Sequence, residues 1–329
     1  MHDFEKPPAI LLMGPTGAGK TALSVAMAQA LNAEIISVDS ALVFKGMDIG
    51  TAKPSLAERG GVPHHLIDIL DPSKAFSTGQ FRASALELMA DITRRGKLPL
   101  LVGGTMLYFS ALTQGLAKLP EADPQIRARL EQELIQLGKE ALHARLAQVD
   151  PVAAARIHVN DPQRIQRALE VYEISGQPLS SFFQTDDIQG SASSAGGGMP
   201  GTTQQTDQSH RFIKLIVAPQ QRQTLHDKIA IRFKAMLEQG FLNEVAALRA
   251  RGDLDESLPS IRCVGYRQAW SYLDGEYDLA TLQDKAIAAT RQLAKRQFTW
   301  LRKEQNACEL ISEAPDVLER ALRYCREHE

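Results

Sequence analysis

AILLMGPTGAGKT, residues 9–21, joins a short apolar run to a glycine-rich loop. The run Ile10–Met13 has the length of a buried strand, and Gly14–Thr21 matches G-x-x-x-x-G-K-[ST] at every fixed position. Apolar residues after Thr21 recur at helical spacing, so the loop lies between a strand and a helix. This context predicts a phosphate-binding loop, because the N–H groups of such a loop and of the following helix start point at an anion.

The residues of this loop have separate predicted roles. Lys20 adds positive charge toward the phosphates, and the hydroxyl of Thr21 is placed to hold Mg²⁺. We expect all eight loop residues to contact phosphate: Gly14, Pro15, Thr16, Gly17, Ala18, Gly19, Lys20 and Thr21.

The composition is that of a soluble globular protein. The 329 residues, 44% hydrophobic and 23% charged, suffice for a full α/β core plus a second lobe. The sequence contains neither a membrane-length apolar run nor a signal or transit peptide, which predicts a cytoplasmic protein without membrane contact. Cys263, Cys308 and Cys325 form no CxxC and predict free thiols without a zinc site. With a net charge of −2, a nucleic-acid partner would need local basic patches.

Two further apolar runs extend the predicted sheet. Glu34–Val38 ends at Asp39-Ser40, and Leu98–Val102 ends at Gly103-Gly104-Thr105. Strand, phosphate loop, helix and strand in this order predict a P-loop NTPase-like α/β fold, with a parallel sheet flanked by helices and the chemistry at the carboxyl ends of the strands. In many phosphate-loop kinases the strand that corresponds to Leu98–Val102 ends at a Mg²⁺-binding aspartate. Here a hydroxyl and two flexible glycines replace it.

The segment between these strands contains a histidine pair and a helix. His64-His65 precedes residues 66–69, which we predict to be a strand. The pair lacks a third ligand, which favours a hydrogen-bonding role over a metal site. Ser77–Gly79 opens a helix predicted over Gln80–Arg95 and ended by Gly96.

A polar, helical segment follows from about Leu119. Asp123-Pro124 and Asp161-Pro162 predict two helix starts, each with an aspartate cap and a proline in the first turn. Arg164 and Arg167 lie three residues apart and can face one external surface. A solvated helix face is the alternative interpretation of these arginines.

The composition changes predict four parts of the chain. They are a P-loop α/β core over 1–118, a helical insertion domain over 119–185, a flexible low-complexity loop over 186–210 and a completion of the core over 211–329. The tract 186–210 has hardly a large apolar residue and therefore cannot bury enough surface to order itself.

The last part is predicted to return to the sheet and to add a basic helix. Arg211–Ala218 has strand character, and the helix predicted over Gln223–Gly240 carries Arg232 beside its apolar stripe. Another helix is predicted over Leu282–Arg302. Between residues 285 and 303 the sequence holds six basic residues, no acidic one, and two interleaved aromatic side chains. This pattern favours a phosphodiester backbone as its partner.

Eight motifs together resemble the tRNA dimethylallyltransferase family, whose members prenylate an adenosine next to the anticodon. They cover nearly the whole chain in the expected order. Phe44 stands where a tyrosine is common, which removes one hydroxyl, and the chain lacks the C-terminal cysteine/histidine finger of eukaryotic members, so it resembles the bacterial type. The motifs are GPTGAGKT (14–21), DSALVFKGMDIGTAKP (39–54), PHHLID (63–68), GGTMLYF (103–109), NDPQRIQRALE (160–170), RFKAMLEQGFLNEV (232–245), RCVGYRQ (262–268) and TRQLAKRQFTWLR (290–302).

The resemblance implies transfer of the five-carbon group of dimethylallyl diphosphate to the exocyclic amine of the adenosine on the 3′ side of the anticodon. The phosphate loop and Mg²⁺ would hold the diphosphate leaving group, whose growing charge Lys20 and Arg232 would stabilise. Asp39 would be the general base on the amine, and Thr105 would help to orient it. The adenine must leave its stack to reach such a site, so we expect it to be flipped out.

The resemblance also implies that the partner is the anticodon stem-loop of tRNA, bound by a monomer. The positions that match tRNA-contacting positions of the family are Asp39, Ser40, Ala41, Leu42, Thr105, Arg127, Gln163, Arg164, Ile165, Gln166, Arg167, Arg262, Cys263, Val264, Gly265, Tyr266 and Arg267.

Three other functions are weighed against this one. A small-molecule kinase would use the same phosphate loop, but the chain lacks the aspartate after Val102 and has a helical lobe larger than a simple lid. Prenyl transfer to a free adenine nucleotide would require neither that lobe nor the basic helix. A non-catalytic RNA-binding protein would leave Lys20, Thr21 and Asp39 without a role.

Overall fold

A computed structural model describes residues 6–183 and 209–328. Most of the predicted loop over 186–210 lies outside the described residues. The chain divides into two compact units: Met1–Thr113 with Asp207–Glu329 forms the first, and Gln114–Thr206 forms the second.

The first unit is built on a parallel sheet. Its strand order is β3-β2-β4-β1-β5-β6, and every neighbouring pair is parallel. The predicted fold class is therefore confirmed. The strands are β1 (Pro8–Met13), β2 (Ala33–Val38), β3 (His64–His65), β4 (Leu98–Gly103), β5 (Arg211–Ala218) and β6 (Ala307–Ile311).

Helices cover the sheet and form the second unit. Those of the described residues are α1 (Lys20–Ala30), α2 (Thr78–Arg94), α3 (Met106–Thr113), α4 (Pro124–Val149), α5 (Pro151–Arg156), α6 (Pro162–Ser175), the 3₁₀ helix Leu179–Phe182, α7 (Arg222–Glu238), α8 (Phe241–Ala250), α9 (Tyr266–Leu273), α10 (Leu279–Leu301) and α11 (Val317–Glu327). In this part of the chain no helix is both long and apolar enough to cross a membrane.

The prediction of a strand over 66–69 is wrong. The strand is the histidine pair itself, which pairs with Ile35 and Ile36 of β2. Leu66 and Asp68 have φ angles of 61° and 56°, and this left-handed backbone cannot continue a strand.

Both histidines of the pair make hydrogen bonds, which is the role that the sequence analysis favoured for them. Nε2 of His65 lies 2.8 Å from a carboxylate oxygen of the buried Glu34, and Nδ1 of His64 lies 2.8 Å from the carbonyl of Val62. Hydrogen bonds from Arg95, with Lys97 and His65 as further donors, lower the pKa of Glu34. Within the described residues, no three His, Cys, Asp or Glu side chains are grouped to hold a metal ion.

The helix starts follow from capping chemistry. Ser77 and Gln80 form a reciprocal capping box at the start of α2, with distances of 3.1 Å and 2.8 Å. In the second unit, Asp123 caps α4 and Asp161 caps α6 through backbone N–H groups of the first turn. Each of the two aspartates precedes a proline in the first turn, as predicted.

Each unit has its own apolar core. Residues 9–13 of β1 are completely buried and contribute to both faces of the sheet. A further cluster of the first unit contains Phe44, which is 1% exposed, with Phe241 and Tyr266. The second unit packs α4 and α6 together through residues such as Leu142 and Leu169.

Candidate active site

The phosphate loop takes a conformation that favours glycine at two positions. Gly17 and Gly19 both have a φ of 80°, in the left-handed region. At Gly14 a Cβ atom would lie 2.3 Å from the carbonyl oxygen of Val217 on β5. No side chain caps α1 at Gly19, so its first-turn N–H groups remain available to an anion.

Lys20 is the cation of this loop. Its Nζ donates to the carbonyl oxygens of Gly14 at 2.9 Å and Pro15 at 2.7 Å. Burial lowers the pKa of the amine to about 8, while Asp39 opposes the shift and Arg232 adds to it. The charge of Lys20 therefore depends strongly on its neighbours, and a bound anion would favour the protonated form.

Asp39 follows β2 and is held by its own turn. Its Oδ1 accepts hydrogen bonds from the N–H groups of Ala41 at 2.8 Å and Leu42 at 3.3 Å. Both bonds end on Oδ1, so this oxygen is the one that the turn holds. The side chain is only partly buried, so a substrate can reach it.

Thr105 joins the end of β4 to the turn that holds Asp39. Its N–H donates to the carbonyl of Val38 at 3.2 Å, and its Oγ1 accepts from the N–H of Ser40 at 3.1 Å. The structure therefore brings Thr105 beside the predicted base.

The two glycines before Thr105 serve close packing. Neither has a φ in the left-handed region, so a left-handed backbone is not the reason for glycine at these positions. A Cβ on Gly103 would lie 2.0 Å from the carbonyl oxygen of Val38, and one on Gly104 would lie 2.3 Å from Nε2 of Gln297. The strand end is filled by neighbouring backbone and by Gln297, a residue that the sequence analysis did not single out.

The charge of Asp39 acts on both Arg232 and Cys263. Burial lowers the pKa of Arg232, and the charge of Asp39 opposes that shift. Burial also raises the pKa of the Cys263 thiol to about 12, with Asp39 adding to the rise. Lys20, Arg232 and Cys263 thus share the electrostatic environment of Asp39, which gathers the phosphate loop, the end of β2, α7 and segment 262–267 into one site.

Glu244 is a second residue that the motif analysis did not identify as important. Its carboxylate accepts from the N–H groups of Asp48 and Ile49, both at 2.8 Å, and of Gly50 at 3.1 Å. It also accepts from the hydroxyl of Tyr266. The next loop residue, Thr51, accepts from Arg232 through its carbonyl at 3.4 Å. Glu244 therefore supports the loop that contacts Arg232.

The predicted tRNA-contacting segment 262–267 has two kinds of side chain. Arg262 and Arg267 are exposed, whereas Tyr266 is 0% exposed and donates to Glu244. The ring of Tyr266 therefore belongs to the core, and the arginines are the side chains that can reach RNA.

In the second unit, two predicted RNA-binding arginines share one buried carboxylate. Arg127 Nε donates to Glu170 at 2.8 Å, and Arg167 donates to it at 2.6 Å and to the carbonyl of Pro120 at 2.7 Å. Burial opposes ionisation of Glu170, but the hydrogen bonds from both arginines outweigh it and lower its pKa. Arg127 and Arg167 therefore have a structural role, which the sequence did not reveal.

The other candidates on α6 differ in exposure. Gln163 is exposed, Arg164 pairs with Asp161 at 3.3 Å, and Gln166 donates to Glu131 at 2.6 Å. Ile165 is 0% exposed and packs in the core of the second unit.

The chain is similar to known proteins over almost its full length. Residues 42–304 match the family model described as IPP transferase. A tRNA dimethylallyltransferase from Methylococcus capsulatus is 55% identical over 326 residues, covering 99% of both chains. One from Nitrosococcus oceani is 54% identical over 320 residues, covering 97% of this chain and 96% of the relative.

Solved structures of tRNA-prenylating enzymes are also similar to this chain. The tRNA isopentenylpyrophosphate transferase from Bacillus halodurans has a TM-score of 0.68 and 34% identity, with 98% of this chain and 96% of that chain covered. A eukaryotic dimethylallyltransferase, described as acting on tRNA, has a TM-score of 0.78 and 25% identity, with 98% and 79% covered.

We expect loss of the Glu244 carboxylate to destabilise the fold. Glu244→Ala leaves three backbone N–H groups and the hydroxyl of Tyr266 without their acceptor, which should lower the free energy of unfolding by about 2–4 kcal/mol. Urea denaturation measures this as a shift of the midpoint. The control Glu238→Ala, at an exposed position of α7, should change stability by less than about 0.5 kcal/mol. Equal midpoints for the two variants would contradict the role of Glu244.

Proposed function

Because the chain belongs to the IPP transferase family, we propose that the site around Lys20, Asp39 and Arg232 carries out prenyl transfer. The enzyme transfers a dimethylallyl group from dimethylallyl diphosphate to the exocyclic amine of the tRNA adenosine 3′-adjacent to the anticodon, releasing diphosphate. The observation that supports these residue roles is that burial lowers the pKa of both Lys20 and Arg232 while the charge of Asp39 opposes each shift, so the carboxylate acts electrostatically on both cations beside the phosphate loop.

The loop 14–21 would bind the diphosphate. Its left-handed glycines and the uncapped start of α1 offer N–H groups, and Lys20 and Arg232 add positive charge. As the allylic C–O bond breaks, negative charge grows on the diphosphate, and these fixed donors stabilise it most at that point. The partial burial of both cations strengthens the interaction, because nearby water is excluded.

Mg²⁺ fits this arrangement through Thr21. In phosphate-loop sites the Ser or Thr hydroxyl of the loop is one of the Mg²⁺ ligands, and substrate phosphates and water supply others. Thr21 is exposed in the first turn of α1, next to Lys20. When bound there, Mg²⁺ would neutralise part of the diphosphate charge.

Asp39 would accept the proton of the amine. An exocyclic adenine amine is a poor nucleophile because its lone pair is delocalised into the ring, and loss of a proton as the new bond forms restores its reactivity. Oδ1 is held by the N–H groups of Ala41 and Leu42, so Oδ2 would be the oxygen that takes the proton. Thr105 would orient the amine from beside the same turn.

The RNA would be held by positive side chains on both units. In the first unit these are the exposed Arg262 and Arg267 and the basic side chains of α10. In the second, we propose that the segment 119–185 is an RNA-binding insertion in which Arg164 contacts phosphate. The target adenine would be flipped toward Asp39. We propose that a single chain suffices, since loop, base and Arg232 come from one chain, and that it works in the cytoplasm.

Replacement of the base tests the chemistry. Asp39→Asn keeps the oxygen that accepts from Ala41 and Leu42 but cannot take a proton. It should lower the single-turnover rate with an anticodon stem-loop by about a hundredfold or more, while both substrates still bind. Asp316→Asn, at an exposed position, should react normally. A near-normal rate for Asp39→Asn would remove Asp39 from the role of base.

The pH dependence of donor binding tests Lys20. With a pKa of about 8, the amine is charged below that pH and neutral above it. The KM for dimethylallyl diphosphate should therefore rise as the pH increases through about 8. Lys20→Met has no titrating amine, so its KM should be high and independent of pH in this range. A constant KM for the native enzyme between about pH 7 and about pH 9 would contradict this role.

Salt dependence separates the two arginines of α6. Arg164→Ala should reduce the slope of log Kd for tRNA against log salt by about 0.7–0.9 for one lost phosphate contact, with little effect on stability. Arg167→Ala should also lower the free energy of unfolding by about 1–2 kcal/mol, because Glu170 and the carbonyl of Pro120 lose a donor. An unchanged slope for Arg164→Ala would assign Arg164 to a solvated helix face.

A further inference from the structure

The side chain of Gln297 bridges two parts of the active site. It lies on α10 and is 8% exposed. Its Oε1 accepts from the backbone N–H of Thr16 in the phosphate loop at 2.9 Å, and its Nε2 donates to the carbonyl of Gly104 at 2.9 Å. One amide group thus satisfies the backbone of two different strand ends.

The two contacted residues follow strands that pair directly. Met13 of β1 is in register with Gly103 of β4. The next residues are therefore side by side, and a Cβ on Gly104 would lie 3.2 Å from the carbonyl oxygen of Gly14. The amide of Gln297 occupies the space that a side chain at position 104 would take.

The helix that carries Gln297 is firmly held. Ala294, one turn before it, packs with Leu225 and Ile229 of α7. Leu301, one turn after it, lies in an apolar core of the first unit. The amide therefore projects from a fixed support, and its two hydrogen bonds constrain the loop and the strand end relative to that support.

We propose that Gln297 is a positioning residue for the donor site. By holding the peptide of Thr16 against the end of β4, it fixes the phosphate loop relative to Thr105 and hence to Asp39. The reacting carbon of the donor is thereby aligned with the amine of the acceptor. This role rests on the proposed function, since it requires that the loop binds the diphosphate.

The direction of the side chain predicts which substrate is affected. Arg296 and Phe298 flank Gln297 on the helix proposed to contact RNA, but the amide itself contacts the loop. Its loss should therefore weaken the binding of dimethylallyl diphosphate and leave the binding of tRNA largely unchanged. A residue needed only for folding would affect both substrates.

The first test compares matched variants of α10. Gln297→Met keeps the length of the side chain but loses both hydrogen bonds, and Gln292→Met makes the same change at an exposed position of this helix. We expect Gln297→Met to raise the KM for dimethylallyl diphosphate about tenfold, with the KM for an anticodon stem-loop within about twofold of native. Gln292→Met should leave both constants unchanged.

A second test displaces the amide from the other side. Gly104→Ala puts a methyl group where Nε2 lies, so it should produce the same selective rise in the donor KM. In the Gln297→Ala background that methyl group meets no amide and only the contact with the carbonyl oxygen of Gly14, at 3.2 Å, remains. Gly104→Ala should therefore add much less loss there than in the native chain. This non-additivity reports contact between the two positions.

The outcomes are distinct. An unchanged donor KM in Gln297→Met, or an equal rise in both constants, would overturn the proposal. If Gln297→Met does not fold, Gly104→Ala decides, and a native donor KM there would overturn it. Absence of prenylation by the native enzyme would instead refute the proposed function, while native transfer without the selective KM effect refutes only the role of Gln297.

Discussion

The active site depends on the close approach of backbone at the carboxyl ends of parallel strands. Gly14 packs against the carbonyl of Val217 on β5, and Gly103 packs against that of Val38 on β2. A Cβ atom at either glycine would lie within 2.3 Å of the carbonyl oxygen, so neither position has space for a side chain. Because these strands pair in one sheet, the phosphate loop, the turn of Asp39 and Thr105 begin at neighbouring points. A bulkier residue at either glycine would separate the diphosphate site from the base.

The charges at the carboxyl ends of these strands then determine what the site can bind. Burial lowers the pKa of Lys20 and of Arg232, so two cations are held in surroundings that disfavour their charge. Asp39 compensates only in part, and a diphosphate would supply the remaining negative charge. The same groups would serve a phosphoryl-transfer enzyme. The strand end that carries a Mg²⁺-binding aspartate in many kinases is here filled by Gln297 against Gly104, which favours transfer of the prenyl group instead.

The sequence was most informative where the chemistry is local. The position of the glycine-rich loop between a strand and a helix, the strands around it and the capped starts of α4 and α6 depend on residues close to each other along the chain. These predicted elements were confirmed. The two-residue strand β3 was misplaced because its pairing with β2, and not its own pattern, defines it. Glu244 and Gln297 lie inside two of the family motifs, but nothing within those motifs marked them out. Apart from Tyr266, their hydrogen-bond partners lie 193 to 281 residues away along the chain. The structural role of Arg167 depends on Glu170, whose burial only the packed helices create.

Prenylation of tRNA at one adenosine can be measured by mass analysis of its nucleosides. Unmodified tRNA would be incubated with the native enzyme, Mg²⁺ and dimethylallyl diphosphate, then digested to nucleosides and analysed by mass spectrometry. We expect one adenosine per acceptor tRNA, on the 3′ side of the anticodon, to be heavier by a dimethylallyl group in place of a hydrogen. Unmodified nucleosides, together with faster transfer of phosphate from ATP to a small molecule or of the prenyl group to free adenine nucleotide, would contradict it.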